Sequence, residues 1–514
     1  MNFAKATSEP KSFAGQTIWL ATAKGIALVL ALALPLILVR HLNPEQLGLY
    51  RQAFQILTTA LSLLGLQVAA SAYYFTPREA DRKSQVALNV LVFYLGVGTL
   101  VALLFINFPR WVTPIMNGDG LVPVVPLVGG TILLWLVALN MESVVIANGD
   151  IRWSSVMTVL IQLLKTSLLI AAAIIGGSVY AMMFAAVIIG LIHCTVCVVY
   201  LRRKFGNFWQ GFDWPLFKAQ LGNALPFGIG GIAYIIQFDL HNYYVTSHFT
   251  PAEFAVYSIG CFQLPMLQVL IDAVETILLP EIARLEKDQD YKRIFQVWVS
   301  SMRMLAFVFF PICAMLFVLR REFILTLFTA TYAASTSIFA INLFNLLLYI
   351  LLIGTVLRAF PELKYFRIKF CLFLLPITWG ALYFGVKVSG MVGVIAAVAL
   401  TRFFDACVTM TVIARRLELT WDDLKQFAVL GRLALAALIA AVITFVGKLM
   451  SPVFPVQLTL AIGAAVYGLS YLISMFALGA VTTEEQARLR ALWQKFYQFG
   501  AGRIGRLASA TEVQ

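Results

Sequence analysis

Charged side chains stand inside long apolar runs of this sequence. Among them are the basic Lys24, Arg51, Lys165, Arg303 and Arg402 and the acidic Glu142, Asp239, Asp272, Glu275 and Asp405. If those runs cross a bilayer, each charge near a span centre costs ~2.5 to 3.5 kcal/mol, so the groups must face protein or water rather than lipid. Lys24 shares a helical face with Thr17 and Ala21, Arg51 has Gln55 one turn later, and Lys165 follows Gln162 by about one turn. A hydrated lumen lined in this way can hold an anionic head group by charge and hydrogen bonds. The same residues also admit structural roles, such as Lys165 pairing with Glu142 or Arg51 snorkelling to the interface. Gln268, Asp272 and Glu275 form one stripe at i, i+4 and i+7. Two carboxylates there can share a proton or hold a cation, because adjacent buried acids raise one another's pKa; alternatively they answer Arg303 or Arg284. Arg402 and Asp405, at i and i+3, most simply neutralise each other. Asp239 follows Leu225-Pro226-Phe227-Gly228-Ile229-Gly230-Gly231, where Pro and Gly predict a bent or broken helix beside a moving surface.

The elements that position these groups follow from composition. The 514 residues are 61% apolar and only 12% charged. A soluble globular chain sits near ~45 to 50% apolar and ~25% charged, so the balance points to membrane spans. Fourteen crossings of ~20 to 25 residues leave only short loops, with no room for a soluble catalytic domain. The net charge of +13 resides in short segments flanking apolar runs, as bilayer orientation requires, and nucleic-acid binding is not expected. The six cysteines lie in apolar runs and read as packing residues. Cys194 and Cys197 beside His193 supply too few ligands for a metal site, so neither metal nor cofactor is expected. The GxGG run has no preceding strand and is not a nucleotide loop. The polar N-terminus and the long apolar run after it do not read as a cleavable signal.

Apolar runs and turn signals predict an all-α polytopic membrane protein of about fourteen transmembrane helices. The first six spans fall near 13–39, 47–73, 86–108, 121–147, 154–176 and 178–201. Six more follow near 220–245, 252–280, 295–319, 335–357, 366–386 and 389–414, and a final pair near 430–450 and 456–479. Residues 1–203 then form an N-lobe, 204–219 a cytoplasmic linker, 220–417 a C-lobe, 418–480 the last two spans and 481–514 a cytoplasmic tail. An amphipathic stretch from Leu489 to Phe499 suits the membrane surface. Lys and Arg crowd the N-terminus, the even-numbered loops and the tail, which places both termini in the cytoplasm.

An internal repeat sets the architecture. His41-Leu42-Asn43-Pro44 to Tyr50 recurs as His248-Phe249-Thr250-Pro251 to Tyr257, with His, Pro and Tyr in register. In each copy Asn43 or Thr250 precedes a Pro at the first turn of a helix, a capping arrangement. Six spans separate the copies, so the halves point the same way across the bilayer as parallel repeats. Two pseudo-symmetric six-helix lobes around a central cavity, plus two C-terminal helices, are the expected plan of an alternating-access transporter.

The Pro44 to Tyr50 junction, the Leu225-Pro226 span carrying Asp239, and Tyr257, Pro265 and Leu279-Pro280 in the next span resemble polysaccharide transporters. These belong to the multidrug/oligosaccharidyl-lipid/polysaccharide exporter superfamily, and the likeness runs from about Phe13 to Leu417. It implies a flippase, not an enzyme, that moves an undecaprenyl-diphosphate-linked oligosaccharide across the bacterial cytoplasmic membrane for O-antigen, capsule or exopolysaccharide synthesis. It implies as further partners membrane lipids and the proteins that polymerise the glycan and set its length. By that likeness Lys24, Arg51 and Lys165 grip the diphosphate, while Asp239, or Asp272 with Glu275, couples export to a proton or sodium gradient. A lipid II flippase is the nearest rival. A drug or cation antiporter of the superfamily suits the basic first lobe less well. A membrane glycan polymerase or ligase needs a sizeable outward loop with catalytic Arg or His, and the outward loops here are short and nearly uncharged.

Overall fold

The computed structural model describes residues 13–117, 119–450 and 454–480, which leaves the Leu489–Phe499 stretch outside the described residues. The first half contains α1 (Phe13–His41), α2 (Pro44–Leu64), α3 (Ser71–Arg78), α4 (Lys83–Asn107), α5 (Val125–Ala147), α6 (Ile151–Gly176) and α7 (Val179–Phe205). There follow α8 (Trp214–His248), α9 (Pro251–Gly260), α10 (Pro265–Lys287), α11 (Tyr291–Val318), α12 (Arg320–Phe328), α13 (Ser335–Leu348) and α14 (Ile353–Ala359). The chain closes with α15 (Lys364–Arg416), α16 (Ala428–Met450) and α17 (Val456–Ala477). Among the described residues 88% are helical and none is in a strand. Eleven helical segments are long and apolar enough to cross a membrane, and α9 with α10, bent by 54°, makes a twelfth. The α15 segment counts twice because Ser389 and Gly390 leave helical angles, and the more polar α2 is a further 21-residue helix. The fold is thus all-α, and about fourteen crossings are accommodated.

Both repeat copies begin helices as their sequences dictate. The Asn43 side chain accepts the Gln46 N–H at 2.8 Å, and the Gln46 side chain returns to the Asn43 N–H at 3.3 Å. Thr250 and Glu253 build the same reciprocal box, with the Thr250 N–H reaching the Glu253 carboxylate at 2.8 Å. Such boxes satisfy otherwise orphaned backbone donors, and Pro at the first turn loses nothing there. The two copies also pack on each other: a Cβ at Gly48 would fall 1.7 Å from the Pro251 carbonyl oxygen.

The span expected over 47–73 is broken. Helix α2 stops at Leu64, and Leu66 and Gln67 turn through left-handed angles before α3 begins. The Tyr94 hydroxyl of α4 stabilises this turn by donating to the Gly65 carbonyl at 2.6 Å and accepting the Ala69 N–H at 2.9 Å. Gly228 of α8 makes room for it, since a Cβ there would lie 2.4 Å from the Leu66 carbonyl oxygen. The expected 335–357 span is likewise interrupted at Leu352, where Trp298 donates its indole N–H to the Leu351 carbonyl at 2.8 Å.

The contacts divide the chain into two compact units. One runs up to Val269 and adds Ile324–Asn345 and Phe360–Thr409. Its interior has one cluster around Tyr94, Leu136, Met141 and Leu201 and another around Tyr257, Ile338, Leu382 and Val398. The other comprises Leu270–Phe323, Leu346–Ala359 and the chain from Met410. There α11, α16 and α17 pack together, and Lys448 of α16 pairs with the buried Glu322 of α12 at 2.8 Å.

Candidate functional site

The three basic residues singled out by the sequence stand on different helices of the first unit. Lys24 is exposed on α1. Arg51 is half-buried on the second turn of α2, beside Tyr50 and Tyr332, and its buried Nε has no hydrogen-bond partner. Lys165 of α6 lies over the Trp135 ring of α5, with Nζ 4.5 Å from the ring centre. An amine on the negative face of an indole keeps favourable electrostatics without a carboxylate.

Lys165 faces a cavity of about 150 Å³ formed by α5, α6 and α7, lined also by Glu142, Thr158, Gln162 and His193. Among the described residues the Glu142 carboxylate receives long hydroxyl contacts, from Thr158 at 3.4 Å and Ser154 at 3.5 Å. No ion pair links Lys165 and Glu142 among the described residues. The neighbouring thiols stand against α5 carbonyls, Cys194 at 3.1 Å from Leu134 and Cys197 at 3.9 Å from Ala138.

Asp239 has a specific partner in the first half of the chain. Its Oδ2 accepts the Thr59 hydroxyl of α2 at 2.6 Å, and Thr59 Oγ1 in turn accepts Gln55 Nε2 at 3.1 Å. Arg51, Gln55 and Thr59 recur every four residues, so they form one polar face of α2. Thr59 was legible as the continuation of the Arg51 and Gln55 stripe; its contact with Asp239 was not.

The acidic residues of α10 separate. Asp272 is exposed, whereas Glu275 is half-buried and accepts Thr355 Oγ1 at 2.6 Å and Arg358 Nη2 at 2.8 Å. Neither basic residue expected to answer them pairs with Glu275. Arg284 bonds Glu281 at 2.7 Å, and Arg303 donates to the Ala480 carbonyl at 3.2 Å. Among the described residues Arg402 and Asp405 form no ion pair with each other. Asp405 pairs with Arg367 at 2.6 Å, and Arg402 lies 4.6 Å over the Phe238 ring. Both α15 segments bring basic groups toward α8, so tertiary proximity replaced the local i, i+3 pairing. The pairings of Arg358 and Arg367 gave no sequence signal, because their partners lie far away along the chain.

Sequence comparison supplies what these contacts alone do not. Residues 37–337 match a family described as "Polysaccharide biosynthesis protein". The chain belongs to that polysaccharide biosynthesis protein family. A search of curated proteins finds no match. The fold of this polysaccharide biosynthesis protein is similar to that of a lipid II flippase, MurJ, in an inward closed conformation. That structure has 13% identity and a TM-score of 0.67, with 89% of this chain and 98% of that chain covered. An outward-facing multidrug resistance MATE family transporter of the MOP superfamily has 15% identity and a TM-score of 0.55, covering 78% and 95%. A MOP superfamily transporter from Pyrococcus furiosus has 14% identity and a TM-score of 0.55, with the same coverage. At these identities the likeness is one of fold alone.

Proposed function

We propose that this multi-pass membrane protein is a flippase for an undecaprenyl-diphosphate-linked oligosaccharide. It moves the lipid from the cytoplasmic to the outer leaflet of the bacterial cytoplasmic membrane by alternating access. The observation that carries the reading is a membrane-helical chain of the polysaccharide biosynthesis family whose helices hold basic side chains without carboxylate partners among the described residues. Lys24, Arg51 and Lys165 have none among the described residues, whereas Arg367 and Lys448 do. A diphosphate requires cations, and a glycan requires polar and aromatic walls. In this reading residues 1–203 and 220–417 are the moving lobes, Lys24, Arg51 and Lys165 hold the diphosphate, and Asp239 or the Asp272 and Glu275 pair couples export to a proton or sodium gradient. The product feeds O-antigen, capsule or exopolysaccharide assembly, with polymerase and chain-length proteins as partners.

The likeness to the lipid II flippase fold favours a second reading in which the cargo is a peptidoglycan precursor. Deletion of the gene separates the two. Accumulation of lipid-linked surface-polysaccharide units on the inner leaflet supports the first reading, accumulation of lipid II supports the second, and neither accumulating rejects both.

A further inference from the structure

The cavity among α5, α6 and α7 is lined by a carboxylate, an ammonium and an imidazole, each from a different helix. Among the described residues none of the three, Glu142, Lys165 or His193, has an ion-pair partner. Thr158, Gln162 and Lys165 recur at i, i+4 and i+7 on one face of α6, so the contact of Thr158 with Glu142 sets the carboxylate roughly 10 Å from Lys165 along that helix. Thr158 has a single proton, and its shorter bond takes that proton to the Ser154 carbonyl at 2.9 Å. Glu142 therefore keeps unused capacity to accept hydrogen bonds. Two indoles complete the lining, and each is fixed by a neighbour. Trp135 Nε1 donates to the Ala186 carbonyl at 3.0 Å, and the Trp153 ring lies against Tyr200 with centres 4.7 Å apart.

An ionised carboxylate only accepts hydrogen bonds and an ammonium only donates them, so one occupant must answer opposite demands at the two ends. A bare phosphate suits Lys165 and is repelled by Glu142. A metal cation meets the reverse difficulty, and among the described residues no group of three His, Cys, Asp or Glu side chains could hold one. A sugar phosphate answers both ends: its phosphate oxygens accept from Lys165, its hydroxyls donate to Glu142, and the C–H faces of its ring pack on indole. His193 can donate to or accept from a further hydroxyl. At about 150 Å³ the cavity is smaller than the ~300 to 1,000 Å³ of pockets for drug-sized ligands, so it takes one ring and not an oligosaccharide.

We propose that this cavity is the subsite for the sugar bonded directly to the diphosphate, with Glu142 and Trp153 selecting the sugar while Lys165 holds the adjacent phosphate. The inference deepens the flippase reading and rests on it, because that reading supplies a sugar beside a diphosphate.

The test titrates the purified full-length protein, in a detergent free of sugar and phosphate, with glucosyl phosphate, galactosyl phosphate, N-acetylglucosaminyl phosphate and inorganic phosphate. Binding is followed by phosphorus NMR. At least one sugar phosphate should bind more tightly than phosphate alone. Glu142→Gln should weaken that sugar phosphate roughly ten-fold, as loss of a hydrogen bond to a charged group does, and should leave phosphate equal or tighter because a repelling charge has gone. Trp153→Leu should also weaken the sugar phosphate and spare phosphate, which supplies the contrast if the Glu142 variant does not fold. Sugar phosphates that bind no more tightly than phosphate overturn the proposal, as does an equal loss of both ligands in the variants. No transport enters this measurement. Failure therefore removes the subsite and leaves the flippase reading to its gene-deletion test. Selective sugar-phosphate binding, in a protein whose gene deletion disturbs neither lipid-linked glycans nor lipid II, upholds the sugar-phosphate cavity and removes the flippase reading.

Discussion

Position on a helix made Lys24, Arg51 and Lys165 candidates, and their surroundings now distinguish them. Lys24 is exposed, Arg51 has an unpartnered buried Nε, and Lys165 rests on Trp135 beside a cavity that also contains Glu142. Hydrogen bonds to charged groups contribute ~1.5 to 3 kcal/mol, so each alanine variant should lower transport roughly 10- to 100-fold at matched membrane expression. The check is inner-leaflet accumulation of lipid-linked oligosaccharide in the deletion strain, and full rescue by all three variants would falsify the anion clamp. For coupling, Asp239→Asn and an Asp272→Asn/Glu275→Gln double variant should lose gradient-driven transport in vesicles; unchanged transport in both would reject the assignment. Glu275 was legible as one member of an acidic stripe. Its bond to Arg358 was not, because neither spacing nor composition relates α10 to α14.

At the scale of elements, turn chemistry was read directly and helix interruptions were not. Asn43 with Gln46 and Thr250 with Glu253 cap their helices locally, so three or four residues suffice to announce them. The break after Leu64 depends instead on the Tyr94 hydroxyl, and Tyr94 belongs to α4. The glycines divide in the same way. Gly48→Ala must push a methyl into the Pro251 backbone and should cost about 1 to 3 kcal/mol or more. Gly231→Ala, where nothing lies within 4 Å, should be tolerated. Thermal unfolding of the two variants in detergent checks the contrast, and equal melting temperatures would contradict the close approach of the repeat copies.

For the whole molecule, the loop charges predict the sidedness. Reporter fusions in the 204–213 link and after residue 480 should report cytoplasm, and those at Asn117 and Ala330 the opposite side. A reporter on the wrong side at any of these sites would refute the orientation. The sequence by itself determined the membrane-helical class, the number of crossings to within the broken ones, the duplicated helix starts and the charged residues worth watching. Each of these follows from composition or from short-range periodicity, which a bilayer enforces strongly because unpaired backbone and charge are costly there. Only the tertiary structure decided the partners: Thr59 for Asp239, Arg358 for Glu275, Arg367 for Asp405 and Trp135 for Lys165. A buried charge must be satisfied by something, but which group reaches it depends on how distant helices cross, and local spacing does not encode that crossing.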